Sequence, residues 1–255
     1  MIRLDCVTKR YGNFTAVREL SLHVPAGEVF GFLGPNGAGK TTTLRMLAGI
    51  LRPTSGSIHI GGMDLLANGT EARRILGFIP DRPFVYEKLT GWEYLRFVAG
   101  LYGLWKGEDA TLENRAMELL GLFDLDDWRH ELVESYSHGM RQKLIVAAAF
   151  LHRPRVMVVD EPMVGLDPKS ARILKDLFRE YARRGNTILV STHTLAVAES
   201  MCDRVGIVQA GTMRACGTMD ELRTDAVTAG DGLEEIFLRL TGERPSRELA
   251  EVLDA

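Results

Sequence analysis

The chain has 255 residues, 45% of them hydrophobic, and a net charge of -3. That much apolar material is enough for one large folded domain with room for an insertion, and it excludes a disordered chain. The balanced charge argues against a nucleic-acid surface spread over the whole protein, and three scattered cysteines with no Cys-x-x-Cys pair signal neither a zinc site nor a disulfide framework.

From the N-terminus, Met1 to Cys6 carries no signal-peptide pattern. Gly12, Pro25-Ala-Gly27 and Pro53-Thr-Ser-Gly56 punctuate the first quarter and bound short strand-like runs, among them Val29 to Leu33 and Ser57 to Ile60. Between the first of these runs and the helix-like stretch Thr43 to Ala48 lies Gly34-Pro-Asn-Gly-Ala-Gly-Lys-Thr-Thr42. It fits a phosphate-binding loop at every fixed position, Gly34, Gly39, Lys40 and Thr41. Glycines let successive backbone N–H groups turn towards anionic oxygens, and the following helix adds the positive end of its dipole. Lys40 supplies a full positive charge, and the Thr41 hydroxyl suits a Mg²⁺ ion that takes its other ligands from phosphate and water.

Residues 91 to 151 change period: Trp92, Leu95, Val98 and Leu101 recur at helical spacing, as do Met117, Leu120 and Leu122. Leu144 to Leu151 is the longest apolar run, short of the roughly 20 residues of a spanning helix, so the chain is expected to be soluble by itself. Strands and helices then alternate again, through Val156 to Val159, a helix over Arg172 to Arg183, Thr187 to Val190 and Val205 to Val208. This pattern predicts an α/β fold with a mostly parallel sheet, interrupted by a helical insertion. Asp160 and Glu161 stand at the C-terminal end of a buried strand, where such sheets bind ligands. Asp160 is placed to reach Mg²⁺ and Glu161 to orient or deprotonate an attacking water.

Up to this point many nucleoside triphosphatases remain candidates. The stretch Tyr136-Ser-His-Gly-Met-Arg-Gln-Lys-Leu144 resembles the signature of ABC (ATP-binding cassette) ATPases, usually Leu-Ser-Gly-Gly-Gln and a basic residue. Ser137, Gly139, Arg141 and Gln142 match it; Tyr136, His138 and Met140 depart from it. Ser137 is able to cap the helix that starts there. In order along the chain, Lys9-Arg-Tyr11-Gly12, Gly165-Leu-Asp-Pro168 and Ser191-Thr-His193 resemble further landmarks of the family.

The resemblance, running from Ile2 to about Glu221, implies a P-loop ABC ATPase fold with an antiparallel β part near the N-terminus. It implies an ATPase domain over 1–220, a helical subdomain inserted over about 82–152, and a C-terminal helical appendage over 221–255. ATP and Mg²⁺ are the implied cofactors. The implied nucleotide contacts are Tyr11 on the adenine, Val17, and Gly34, Asn36, Gly37, Ala38, Gly39, Lys40, Thr41 and Thr42 around the phosphates. Lys40, Glu161 and His193 are the implied catalytic group, with His193 touching the γ-phosphate; Thr41, Asp160 and Asp81 are the implied metal ligands. Ser137, His138, Gly139 and Met140 would close on the ATP of a second ATPase subunit, an identical copy in the simplest case.

Asp81, in Gly77-Phe-Ile-Pro-Asp81, stands where the family usually has glutamine; it is shorter and charged, which favours contact with the metal through water. That acid, Tyr86-Glu-Lys-Leu-Thr90, the signature stretch and Leu233-Glu-Glu-Ile-Phe-Leu-Arg-Leu-Thr-Gly242 resemble the exporter-type subfamily, whose ATPase and membrane chains are separate. The implied partner is a multi-span membrane permease, seated near Phe84, Tyr86, Leu89 and Trp92, though at least half of these are expected in the core. The implied location is cytoplasmic, peripheral on the inner face of the membrane. The competing reading is a non-transport ABC ATPase acting as a nucleotide-dependent switch on nucleic acid or ribosome; no long coiled-coil insertion or second cassette accompanies it here, and no nucleic-acid partner is expected.

Overall fold

The computed structural model describes residues 1–82, 84–104 and 110–228. Two long strands, β1 (Ile2–Tyr11) and β2 (Phe14–Val24), form a hairpin, and β4 (Ser55–Ile60) and β5 (Met63–Asp64) extend it into a four-stranded antiparallel sheet ordered β2-β1-β4-β5. A second, six-stranded sheet is ordered β10-β9-β3-β8-β7-β6, with β3 (Val29–Leu33), β6 (Leu76–Ile79), β7 (Val156–Asp160), β8 (Thr187–Thr192) and β9 (Arg204–Gln209) all parallel. Only β10 (Thr212–Thr218) runs against them, at one edge.

The parallel strands read as near-continuous apolar runs because both faces are covered. Alternate residues of β7 prove the point. Val156 and Val158 pack with Phe30, Phe32, helix α1 (Lys40–Leu47) and the inner face of the antiparallel sheet. Met157 and Val159 pack on the other face with α5 (His138–Leu151) and α6 (Pro168–Arg183). Each fully buried Phe, Leu or Val of this kind contributes roughly 1.5–3 kcal/mol by leaving water.

Between β6 and β7, neighbours in the sheet, the chain leaves to form α3 (Gly91–Leu101) and α4 (Ala110–Leu122), then returns through α5. Tyr94, Leu95, Leu120 and Phe123 of this excursion join the same apolar cluster as α5 and the sheet. Thr90 starts α3 with a reciprocal cap: its hydroxyl accepts the Glu93 N–H at 3.2 Å and the Glu93 carboxylate accepts the Thr90 N–H at 2.8 Å. The short α2 (Gly69–Arg74) precedes β6; α7 (Leu195–Met201) and α8 (Met219–Thr228) flank β9 and β10. Residues 233–242, and the expected appendage beyond 228, lie outside the described residues. Among the described residues no helix is long and apolar enough to cross a membrane.

Candidate functional site

Three adjacent parallel strands, β3, β8 and β7, end on the same side of the sheet, and each delivers a predicted group there. The loop from Gly34 leaves β3, pinned to β8 by the Gly34 N–H on the Thr192 carbonyl at 3.3 Å. Its last residue, Gly39, has φ 98°, and a Cβ there would sit 2.5 Å from the Ala16 carbonyl, so only glycine fits under β2. The buried Val17 lies beneath the same glycine, 3.3 Å from that Cβ position.

No side chain caps α1. Thr43 is the first residue of the helix whose N–H finds a carbonyl, that of Gly39 at 2.9 Å. Among the described residues the amides of Asn36, Gly37, Gly39, Lys40, Thr41 and Thr42 have no acceptor, a ring of donors awaiting an anion. Ala38 instead folds inward, its N–H on the Pro35 carbonyl at 3.2 Å. Lys40 is buried, its ammonium donating to the carbonyls of Gly34 at 2.6 Å and Pro35 at 3.2 Å. Burial lowers its pKa, partly offset by the nearby Glu161 and Asp160 carboxylates.

Glu161 follows β7 in the left-handed region, φ 47°, a conformation costly for a non-glycine residue. Its Oε1 lies 4.0 Å from Lys40 Nζ and 2.8 Å from His193 Nδ1. Asp160 is buried and accepts a hydrogen bond from the Ser191 hydroxyl, a partner that no motif in the sequence announced. Asp160 sits beside Ser191 in register, which explains the pairing. Asp81 is exposed just after the end of β6, next to β7.

A metal ion at this site must find hard oxygen ligands. Thr41 is exposed at the head of α1, and the described residues hold no cluster of three or more His, Cys, Asp or Glu able to bind a metal unaided. This donor set fits Mg²⁺ brought with phosphate oxygens and water, and fits zinc or a caged calcium poorly.

Tyr11 is 48% exposed, so its ring is open to solvent. Lys9 Nζ lies 5.3 Å from its ring centre.

The signature stretch forms a separate group. The Ser137 hydroxyl caps α5 by accepting the Met140 N–H at 3.2 Å, as expected. Tyr136 is buried, with its hydroxyl on the Trp128 carbonyl at 2.7 Å and its pKa pushed up to about 12 by burial and, secondarily, Glu131. An aromatic body with a satisfied tip thus replaces the family's leucine. His138 is exposed and lies over Gly165, where a Cβ would fall 2.4 Å from the imidazole. Gly139 meets the Gly165 carbonyl in the same way, and Met140 packs on the core. His138 and Gly139 lie against Gly165, Ser137 bonds within α5, and among the described residues no hydrogen bond or ion pair joins these three to the 34–42 loop. Lys143, one turn on, pairs with Asp167 at 3.2 Å; Asp167 also caps α6, and hydrogen bonds from Ser170 hold its carboxyl well below the usual range.

Phe84 and Tyr86 are exposed and Leu89 and Trp92 pack on the core, so half of that group is core. Phe84, Tyr86 and Phe97 run edge to face, at 6.1 Å and 5.1 Å between ring centres.

The family described as "ABC transporter" matches residues 17–164. The chain is 38% identical over 255 residues to the daunorubicin/doxorubicin resistance ATP-binding protein DrrA of Streptomyces peucetius, covering 100% of this chain and 74% of that one. It superposes on a structure described as the ATP binding subunit of an ABC transporter with TM-score 0.87 at 35% identity, covering 94% of this chain and 99% of that one. A dimeric post-hydrolysis state of the ATP-binding cassette MJ0796 bound to ADP and Pi superposes with TM-score 0.75 at 26% identity, covering 86% and 99%.

Proposed function

Since the chain belongs to the ABC transporter family and is its ATP-binding, ATP-hydrolysing subunit, we propose that two copies close head to tail around ATP and power export through a separate permease. The single observation behind this is the split of the functional groups. Lys40, Glu161 and His193 converge at the ends of β3, β7 and β8, while Gly139 of the same chain lies against Gly165 and Ser137 caps α5, and among the described residues no hydrogen bond or ion pair links either to the phosphate loop. A second copy supplies what one chain leaves open, and twofold symmetry closes both sites at once.

In this reading the free amides at the head of α1 and the Lys40 ammonium hold the phosphates, and Tyr11 takes the adenine. Glu161 accepts a proton from the water as that water's oxygen bonds to the γ-phosphorus and the bond to ADP breaks. His193, hydrogen-bonded to the carboxylate, fixes the direction in which Glu161 points. Thr41 and Asp160, with Asp81 acting through water, would hold Mg²⁺, which when bound neutralises charge on the phosphates. ATP favours the closed pair, and its loss of the γ-phosphate releases it.

The helical excursion over about 82–152 is read as the subdomain that carries the signature, and 1–220 as the ATPase domain with the remainder as an appendage. The groove lined by Leu89, Glu93, Arg96, Phe97 and Leu101, with Phe84 and Tyr86 beside it, is the proposed seat of a short permease helix. That docking would keep the chain peripheral on the inner face of the membrane. The resistance role in the name of DrrA supports export as the direction.

Glu161→Gln tests the clamp. With ATP present it should run as a stable dimer on size exclusion, with turnover down by at least about a hundredfold. A monomer that still hydrolyses ATP at the normal rate would overturn both the role of Glu161 and the pairing.

A further inference from the structure

We infer that Phe14 forms a second aromatic wall of the adenine pocket, opposite strand to Tyr11, a reading that rests on the nucleotide site proposed above. The hairpin register pairs Lys9 with Val17, Arg10 with Thr15, and Tyr11 with Phe14. Directly opposed residues of an antiparallel pair put their side chains on one face, and faces alternate along a strand. Lys9 and Tyr11 therefore share a face, and with them Val17 and Phe14; Arg10 and Thr15 take the other. The register shift between Lys9 and Arg10 leaves Ala16 as the extra residue, and it does not change these pairings.

Val17 identifies which face this is. Its Cγ2 lies 3.3 Å from the Cβ position of Gly39, so the face carrying Tyr11 and Phe14 is the one turned to the phosphate loop. Phe14 is 64% exposed at the end of a hairpin closed by the two residues Gly12 and Asn13, where polar residues are the rule. Two exposed aromatic residues thus share the hairpin face whose Val17 lies against Gly39 of the phosphate loop. A planar, apolar base attached to phosphates fits that arrangement. Aromatic contact with a base is tolerant of exact geometry, because every base has a π face.

Three measurements on the full chain decide the matter. Phe14→Ala should raise the KM for ATP about fivefold or more while kcat changes less than about twofold, and Phe14→Tyr should restore it. Inorganic tripolyphosphate has no base, so its competition against ATP should be equally strong in wild type and Phe14→Ala. Phe14→Trp should add indole emission that ATP quenches and tripolyphosphate does not. If Phe14→Ala binds ATP as wild type does while Tyr11→Ala binds it weakly, Phe14 lies outside the pocket although the site reading stands. If tripolyphosphate weakens in step with ATP, Phe14 only supports the hairpin and the inference fails. If neither wild type nor any variant binds ATP, the site reading falls, and this inference with it.

Discussion

Ser191, and Asp81 in the reading proposed above, are single residues that tune a site whose plan is otherwise general. The buried Asp160 carboxylate is shared with the Ser191 hydroxyl, so it is oriented before any ligand arrives. Asp81 is shorter than the glutamine usual in the family and stands exposed beyond the end of β6. Its reach suits a water-mediated contact with the metal. Asp81→Ala should raise the Mg²⁺ concentration for half-maximal ATPase by about tenfold, the size typical of a residue acting through a ligand, and Asp81→Gln should recover most of the loss. An unchanged Mg²⁺ curve in both variants would remove Asp81 from the site.

Among the elements, α3, α5 and β6 share an apolar cluster, and one histidine adds a polar tie at their joint. His152 follows α5, stacks on Tyr102 at the end of α3 with 3.7 Å between ring centres, and bonds the Leu76 carbonyl of β6 through Nε2 at 3.1 Å. Burial pushes its imidazole down to about 4 from an ordinary 6.5, with Leu76 pulling up and Arg115 pushing further down. Between those values the unfolded chain binds a proton that the folded chain refuses, so stability falls as pH drops through that window. The imidazole is partly solvated, so the loss from pH 7 to pH 5 should be about 1–2 kcal/mol. Urea midpoints at the two pH values measure it, and His152→Gln should flatten the difference. The same slope in both proteins would mean that another group is responsible. Because this joint ties the helical excursion to the sheet, its loosening should free α3 before the parallel strands.

For the whole molecule, the question is what the free surfaces await. Phe84 is 79% exposed and Leu101 70%, on the side of the helical excursion away from the core. The neighbouring loop is tied to the signature and to the turn before it: Glu87 pairs with Arg141 of α5 at 2.9 Å, and the Glu134 N–H donates to the Glu87 carbonyl at 3.0 Å. A push on the aromatic ladder thereby has a short mechanical route to Ser137 and Gly139. Replacing Phe84 and Phe97 by Asp should leave basal ATPase within about twofold and, on the docking proposed above, abolish co-purification with a multi-span membrane partner, since a charge placed in an apolar contact costs about 2 kcal/mol or more per site. Retained co-purification would move the docking surface elsewhere.

The order of motifs was legible in the residues themselves, because a phosphate loop, a buried strand ending in Asp160-Glu161 and a helix-starting Ser137 each obey local rules of backbone freedom, burial and capping. The alternation of strands and helices likewise announced the parallel sheet. Local rules did not reach the pairings made across the fold. That Ser191 serves Asp160, that His138 covers Gly165, that Tyr136 turns its hydroxyl to Trp128 and that Phe14 shares the face of Tyr11 depend on which strands and helices become neighbours. Those neighbours are chosen by burying the apolar faces of the whole chain at once, a condition that no short stretch of residues can express alone.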